Sequence, residues 1–242
     1  PAAASVLLRP QYRVQASIAP AAPQIEGTAV VSFTNHSQRT LEEAVFLLFP
    51  NRFSQPDADL NDFTRPLVYP DQEFDAGGLE LLEVLDAGVP SHASPLPVAN
   101  LPGGTFVTVP IAPLPPNATR TLTLGFRTTL PQRFGTFGQV GEQLTAIGGW
   151  YPSLVPLGDD GTWQIASAPP LADFDVSLAA SEGLDVILNG RYVPAGAPLG
   201  HATVAAVHYL TVVAAPRFAD ASTEADGVTI RYLYRPKAFG MR

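Results

Sequence analysis

Apolar and polar positions alternate with period two along most of this chain. From Gln11 to Ile18, Tyr12, Val14, Ala16 and Ile18 alternate with Gln11, Arg13, Gln15 and Ser17, which predicts a half-buried strand. Pro20 to Pro23 reads as a turn, and Ile25 to Asn35 as a second strand with Gly27 near its start and Val31 and Phe33 on one face. Leu41 to Phe49 follows, ending in the unbroken apolar run Ala44-Val45-Phe46-Leu47-Leu48-Phe49, the pattern of a strand buried on both faces. Pro50-Asn51 stops it, and Arg52 to Pro70 is polar, proline-bearing and expected to be a long surface loop. Further strands are expected at Leu79 to Leu85, Thr105 to Ile111 and Thr119 to Thr128. Turns at Asp86-Ala87-Gly88, Pro102-Gly103-Gly104 and Pro113 to Asn117 separate them, and Pro131 to Gly141 reads as a glycine-aromatic loop.

The alternation resumes at Leu171 to Ala179 and Leu184 to Leu188, which ends at the tight-turn pair Asn189-Gly190. Arg191 to Pro194, His201 to Ala215 and Val228 to Tyr234 continue it, with Ile230, Tyr232 and Tyr234 in phase. Between the two halves stands Gly148 to Pro156, then Asp159 to Trp163, a stretch holding both tryptophans with paired glycines and prolines. Its glycines and prolines suit neither a long helix nor a regular strand. It reads as a join between two all-β halves, and packing explains its aromatics, with Phe134 and Phe137, better than a sugar-stacking platform does. With about ten to twelve strands and no long helix, the fold class is all-β, a multi-strand sandwich or saddle of two or more packed sheets with little helix. Residues 1–235 are read as one domain and 236–242 as the start of a linker to a downstream domain.

Composition narrows the picture chiefly by exclusion. The 25 prolines and 20 glycines follow no repeat, which fits many short strands joined by turns. With 14 basic and 22 acidic residues, a net charge of −8 and no basic stripe, no nucleic-acid partner is expected. Cysteine is absent, which removes disulfides, thiol nucleophiles and Cys-containing zinc sites. No apolar run approaches the roughly 18 residues of a membrane-spanning helix. The longest, Thr203 to Pro216, is interrupted by His208 and reads as a buried strand. The opening Pro1-Ala2-Ala3-Ala4, without an initiator Met, reads as a trimmed piece or as a mature form that has lost a leader. An extracytoplasmic or bacterial cell-surface setting is favoured over a cytoplasmic one.

Candidate chemistry is sparse. His36, His92, His201 and His208 never pair at i, i+4 around a Glu, so the helical zinc-protease signature is missing. His201 and His208 fall on opposite faces of one expected strand. Asp57-Ala58-Asp59-Leu60-Asn61-Asp62 begins like a calcium loop, but Asp62 stands where that loop needs Gly and Val68 where it needs Glu, which leaves a solvated acidic loop or a looser calcium site. No nucleophile elbow is present, and Ser37 and Ser91 beside histidines belong to turns. Glu42-Glu43 and Asp159-Asp160 diverge if extended, which disfavours a glycosidase pair. Asn35-His36-Ser37 and Asn117-Ala118-Thr119 fit the glycosylation acceptor pattern. No catalytic residue and no metal ligand is assigned in this chain.

Three segments, in order, resemble the N-terminal β domain of the M1-family zinc aminopeptidases, the group that includes leukotriene A4 hydrolase. The first is Gly27-Thr28-Ala29-Val30-Val31-Ser32-Phe33-Thr34-Asn35 with Leu41 and Phe46-Leu47-Leu48-Phe49-Pro50-Asn51. The second is Leu114-Pro115-Pro116-Asn117 before Leu122-Thr123-Leu124-Gly125-Phe126, and the third is Trp150-Tyr151-Pro152 with the strand opening at Asp173-Phe174-Asp175-Val176. The resemblance implies a non-catalytic domain that packs on a catalytic domain of the same polypeptide and shapes its substrate cleft. Zinc is expected in that other domain, since the zinc-binding and peptide-binding motifs of the family do not occur here. It implies that Tyr232 to Arg242 leads into that domain. It also implies a Gln or Glu contacting the substrate's α-amino group about nine residues before the aromatic-Pro element, a position filled by Gln143. A free-standing cell-surface carbohydrate-binding or adhesion module is the alternative.

Overall fold

The computed structural model describes residues 9–19, 22–71, 73–180, 183–196 and 201–235. Pro1 to Ala4, Pro20 of the first expected turn and the 236–242 linker lie outside them. The first alternating segments form β1 (Gln11–Ala19) and β2 (Gln24–Thr34), and the apolar run forms β3 (Leu41–Leu47). β4 (Gly78–Asp86), β5 (Val89–Pro90), β6 (Ser94–Leu96), β7 (Phe106–Leu114) and β8 (Thr119–Thr129) follow. Then come β9 (Phe137–Val140), β10 (Gln143–Ala146), β11 (Ser153–Leu154), β12 (Ala172–Ala180), β13 (Asp185–Leu188) and β14 (Arg191–Val193). β15 (His201–Val207), β16 (Val212–Ala215), β17 (Ala219–Ala225) and β18 (Val228–Tyr234) complete the described chain. The only α-helix among the described residues is one turn, α1 (Arg65–Val68), and a 3₁₀ turn spans Phe49–Phe53. The fold is all-β with little helix, as the alternation predicts.

Strand order in the largest sheet is β15-β12-β1-β2-β8-β4-β5. β1 pairs parallel with β12, Tyr12 opposite Phe174, so the two halves of the chain share one sheet. Its inner face carries Val14, Val31, Leu122, Leu124, Phe126 and Val176, all buried. Its outer face is polar and tied across strands by Ser32–Thr121 at 2.7 Å, Thr34–Thr119 at 2.9 Å and Arg127–Glu26 at 2.9 Å. Against the inner face lie a four-stranded sheet, β11-β3-β7-β6, and a five-stranded one, β14-β13-β16-β10-β9. β3 is buried on both sides as expected: Ala44 and Phe46 enter the main core, while Val45 packs with Phe106 and Val155 in a smaller one.

The stretch around Trp150 is the crossing between these sheets. The chain leaves β10 at Ala146, passes through Trp150 and Tyr151, and enters β11 beside β3. Trp150 and Tyr151 are fully buried. Tyr151 lies edge-on to Tyr12 (5.7 Å between ring centroids) and Phe174 (5.5 Å), while Tyr12 stacks on Phe174 at 4.8 Å. The phenols act as acceptors for strand ends: Leu154 N–H donates to Tyr12 Oη at 2.8 Å, and Leu210 N–H to Tyr151 Oη at 3.2 Å. Thr128 Oγ1 donates to the Trp150 carbonyl at 2.8 Å. Burial raises both phenols well above their ordinary range, so both stay protonated.

Several expectations need correcting. There are eighteen strands among the described residues rather than ten to twelve, because two- to four-residue strands lack enough positions to show alternation. Pro131 to Gly141 is not all loop: β9 lies within it and its Phe137 is fully buried. The loop at Arg52 to Pro70 contains α1, and Phe49 opens the 3₁₀ turn instead of ending β3, since Pro50 has no N–H to give a sheet. His201 to Ala215 is two strands in two sheets. Ala206 has φ 57° and its N–H bonds Asp173 Oδ1 at 2.8 Å, bulging β15, and the chain then crosses to β16. Asn35 is fully buried, its amide donating to Arg39 O at 2.7 Å and Leu114 O at 2.9 Å; it anchors a turn and is not open to a glycan.

Replacing Tyr151 with Phe leaves the Leu210 N–H buried without an acceptor, which costs about 1–3 kcal/mol. A fall in the thermal midpoint of some 2–4 °C per kcal/mol is expected for a chain of this size, measured by calorimetry. Asp173 joins three strands: its carboxylate accepts from Gln11 Nε2 at 3.0 Å and Ala206 N, and pairs with Arg9 at 3.3 Å. Led by the Gln11 bond, these contacts lower its pKa from the ordinary 3.8. A lowered folded pKa means stability that is present above the unfolded value and is lost as pH falls through the folded one. Asp173→Asn is therefore expected to unfold more readily than the native chain at pH 6. The two should converge as the pH drops below the ordinary carboxylate range, followed by urea melts.

Candidate functional site

Gln143, the substrate-contact candidate, is the first residue of β10, just after the two-residue turn Gly141-Glu142 that joins β9 to β10. Gly141 has φ 55°, a backbone conformation that glycine adopts freely. β10 alternates: Leu144 and Ala146 enter the core, while Gln143 and Thr145 are half-buried on the opposite face, with Gln143 Nε2 3.3 Å from Thr145 Oγ1. The amide oxygen of Gln143 makes no hydrogen bond among the described residues and can accept from an ammonium group.

The β17–β18 hairpin comes back to this place. Arg235, directly after β18, donates to Glu142 Oε2 at 3.0 Å, setting the end of the hairpin beside the residue that precedes Gln143. The base of the hairpin is fixed by Asp185, a buried carboxylate accepting from Phe218 N (2.7 Å), Ala195 N (2.8 Å) and Tyr192 Oη (2.9 Å). Arg231 lies over the Tyr192 ring at 5.0 Å. The hairpin's other face is bare. Val228, Ile230, Tyr232 and Tyr234 share one side of β18, opposite Ala225, Thr223, Ala221 and Ala219 of β17. Ile230 is 53 % exposed and Tyr232 66 %, and the Tyr232 and Tyr234 rings stack at 5.4 Å. The alternation predicts Val228 to Tyr234 as a strand. It misses β17, whose run Ala219-Asp220-Ala221-Ser222-Thr223-Glu224-Ala225 has no large apolar residue to mark a strand.

The structure disperses the other candidates. His36 bonds Leu157 O at 2.9 Å, His201 bonds Asp175 at 2.8 Å and His208 bonds Pro169 O at 2.6 Å, so these three serve separate local contacts. His208 lies beyond the end of β15, not on one strand with His201. Asp57 turns its carboxylate back to the Asp59 N–H. Among the described residues no three His, Cys, Asp or Glu side chains gather as a metal would require. No helix of the described residues is long and apolar enough to cross a membrane. Of the aromatics weighed as a sugar platform, Phe137, Trp150 and Tyr151 are fully buried and Trp163 packs edge-on to Phe33 at 6.2 Å.

No family model matches the sequence, and neither does any curated protein. Solved structures do resemble the fold. Yeast LTA4 hydrolase in complex with bestatin aligns over 88 % of this chain and 29 % of its own, with a TM-score of 0.50 and 12 % identity. The M1 zinc metallopeptidase of Deinococcus radiodurans, as a mutant bound to a Tyr-Ser-Ala substrate, aligns over 93 % of this chain and 46 % of its own, with a TM-score of 0.48 and 14 % identity. This chain thus spans less than half the length of either enzyme. The fold is that of a part of the yeast hydrolase, as the resemblance read from the sequence implies.

The burial of the tryptophans has a direct readout. With Trp163→Phe, the remaining Trp150 should give blue-shifted emission that iodide does not quench. With Trp150→Phe, the half-buried Trp163 should be quenched more readily. Iodide-accessible emission from Trp150 in the folded chain would contradict its buried position.

Proposed function

We propose that this chain is a non-catalytic β domain of an M1-like zinc metallopeptidase, packing on a catalytic domain of the same polypeptide and walling part of its peptide cleft. The observation that carries this reading is the bare apolar face of β17–β18. A two-stranded ribbon is marginal by itself, and an exposed face of Val, Ile and two Tyr costs free energy in water until something covers it. In this reading the polypeptide continues from β18 into the partner domain, which covers that face. The Arg235–Glu142 contact then starts the partner domain next to Gln143, where the carbonyl of a half-buried amide meets the amino end of a bound peptide. Yeast LTA4 hydrolase supports the reading at the level of fold. In this reading the zinc of such an enzyme belongs to the partner domain. This chain supplies a wall and a contact, and no step of the hydrolysis. Of the aromatics that the carbohydrate-binding or adhesion alternative would use, Trp150, Tyr151 and Phe137 are buried and Phe134 is 43 % exposed, which favours the first reading.

The test uses the polypeptide with its following domain. Gln143→Ala should raise KM for peptides with a free amino terminus by about 10–100-fold, the worth of one hydrogen bond to a charged group, with far less effect on amino-acetylated substrates. Unchanged KM and kcat would remove Gln143 from the site. Tyr232→Asp should loosen the two domains, seen as proteolytic cleavage just after β18 and a lower thermal midpoint. The same substitution should leave the midpoint of the 242-residue chain nearly unchanged. Equal effects in both forms would argue against a covered face.

A further inference from the structure

The 3₁₀ turn Phe49–Phe53 and the segment leading into α1 enclose a cleft of about 960 Å³ that the proposed function does not use. Its apolar wall is aromatic: half-buried Phe49 and Phe53, packed edge-on at 5.5 Å, with buried Tyr69 nearby. Phe137 stacks behind Phe53 at 5.1 Å and fixes that ring. Two arginines line the cleft. Arg133 lies over the Phe53 ring at 4.6 Å, and its Nε is buried without an acceptor. Neither Arg133 nor Arg52 forms an ion pair among the described residues. Asp57, Asp59 and Asp75 bring the opposite charge to the same cleft. Asp75 is partly used, accepting from Gln132 N at 2.6 Å, and Asp57 bonds Asp59 N at 3.1 Å, while the carboxylate of Asp59 has no partner among the described residues. Tyr69 senses both charges: burial raises its phenol pKa, Arg133 opposes that and Asp57 adds to it.

From this juxtaposition of unpaired arginines, a free carboxylate and an aromatic wall, we infer that the cleft binds a zwitterion with an aromatic side chain, a free aromatic amino acid or the like. The ligand's carboxylate takes the guanidinium side of the cleft, lined by Arg52 and Arg133. Its ammonium takes the aspartate side, and its ring packs against Phe49 and the edge of Phe53, whose faces already meet Phe137 and the Arg133 guanidinium. An anion alone would meet three carboxylates, a cation alone two guanidiniums, and an aliphatic zwitterion would leave the ring wall wet. The volume fits the range of small-molecule sites. This inference does not depend on the peptidase reading.

Isothermal titration of the 242-residue chain with L-phenylalanine, hydrocinnamate, phenethylamine and L-alanine decides it. Saturable binding of L-phenylalanine is expected, with each of the other three weaker by at least about tenfold, since each lacks one recognised group. Arg52→Gln and Arg133→Gln should each weaken L-phenylalanine by a similar factor, with circular dichroism and the unfolding midpoint unchanged for the exposed Arg52. Arg191→Gln, away from the cleft, should bind as the native chain does. The inference is overturned by the absence of saturable L-phenylalanine binding. Hydrocinnamate binding as tightly as the amino acid would overturn it too, as would full affinity in the folded Arg52→Gln chain.

Discussion

Three sheets meet on two phenols in edge-on contact, Tyr12 and Tyr151. Tyr151 touches Tyr12 of β1 and Phe174 of β12 in the seven-stranded sheet, and its phenol accepts from Leu210, just ahead of β16 in the five-stranded one. Tyr12 in turn accepts from Leu154 of β11, in the four-stranded sheet. A backbone that leaves one sheet and enters another must bring unpaired N–H groups through the core, and each is costly if left unsatisfied. Phenols suit that place, because they bury a large apolar ring and still offer an acceptor. The seam therefore does two jobs that Leu or Phe could not combine, filling the junction while terminating the hydrogen bonds of two strand ends.

Everything proposed about function lies outside that seam. The core is closed and its polar groups are largely paired, whereas the β17–β18 hairpin is fastened at its base by Asp185 and carries its apolar side outward. Polar bonding holds the hairpin in place, and its hydrophobic side is left over. The same separation holds at the aromatic cleft, where Phe137 is buried as core and Phe53, stacked upon it, is half open. In both places a rigid scaffold presents apolar surface that its own fold does not consume, which is where recognition is expected to sit.

The fold was legible where strands are long. β1, β2, β8 and β12 each run nine or more residues, and their alternation of Tyr12, Val14, Leu122, Leu124 and Phe174, Val176 against polar neighbours names both the strand and its buried face. Short strands such as β5, β6 and β11 exist because a neighbour offers a ladder, and two or three residues carry no period of their own. The break inside His201 to Ala215 was hidden for another reason. A bulge at Ala206 and a partner at Asp173 cut it, and neither is visible in a run of small and β-branched residues. Gln143 rested on a spacing within a family resemblance, and the structure gives it a strand, a half-buried face and a neighbour in Glu142. The aromatic cleft left no sequence signal, because Phe53, Tyr69 and Arg133 come from two segments, Arg52 to Pro70 and Pro131 to Gly141, that each read as irregular.

Period two reports that a strand has two unlike sides without saying which side the protein will cover. In β1 the apolar side, Tyr12 to Ile18, faces two other sheets and is buried. In β18 the apolar side, Val228 to Tyr234, is equally regular and stands exposed among the described residues. The difference lies in pairing: β1 is flanked by β2 and β12 within a sheet that others pack upon, while β18 is paired with β17 alone. An apolar face that its own chain leaves open is a constraint on what must lie beside it. The most regular apolar strand face of the carboxyl-terminal part is thus outside this domain's core, and under the proposed function it is the surface that the following domain would cover.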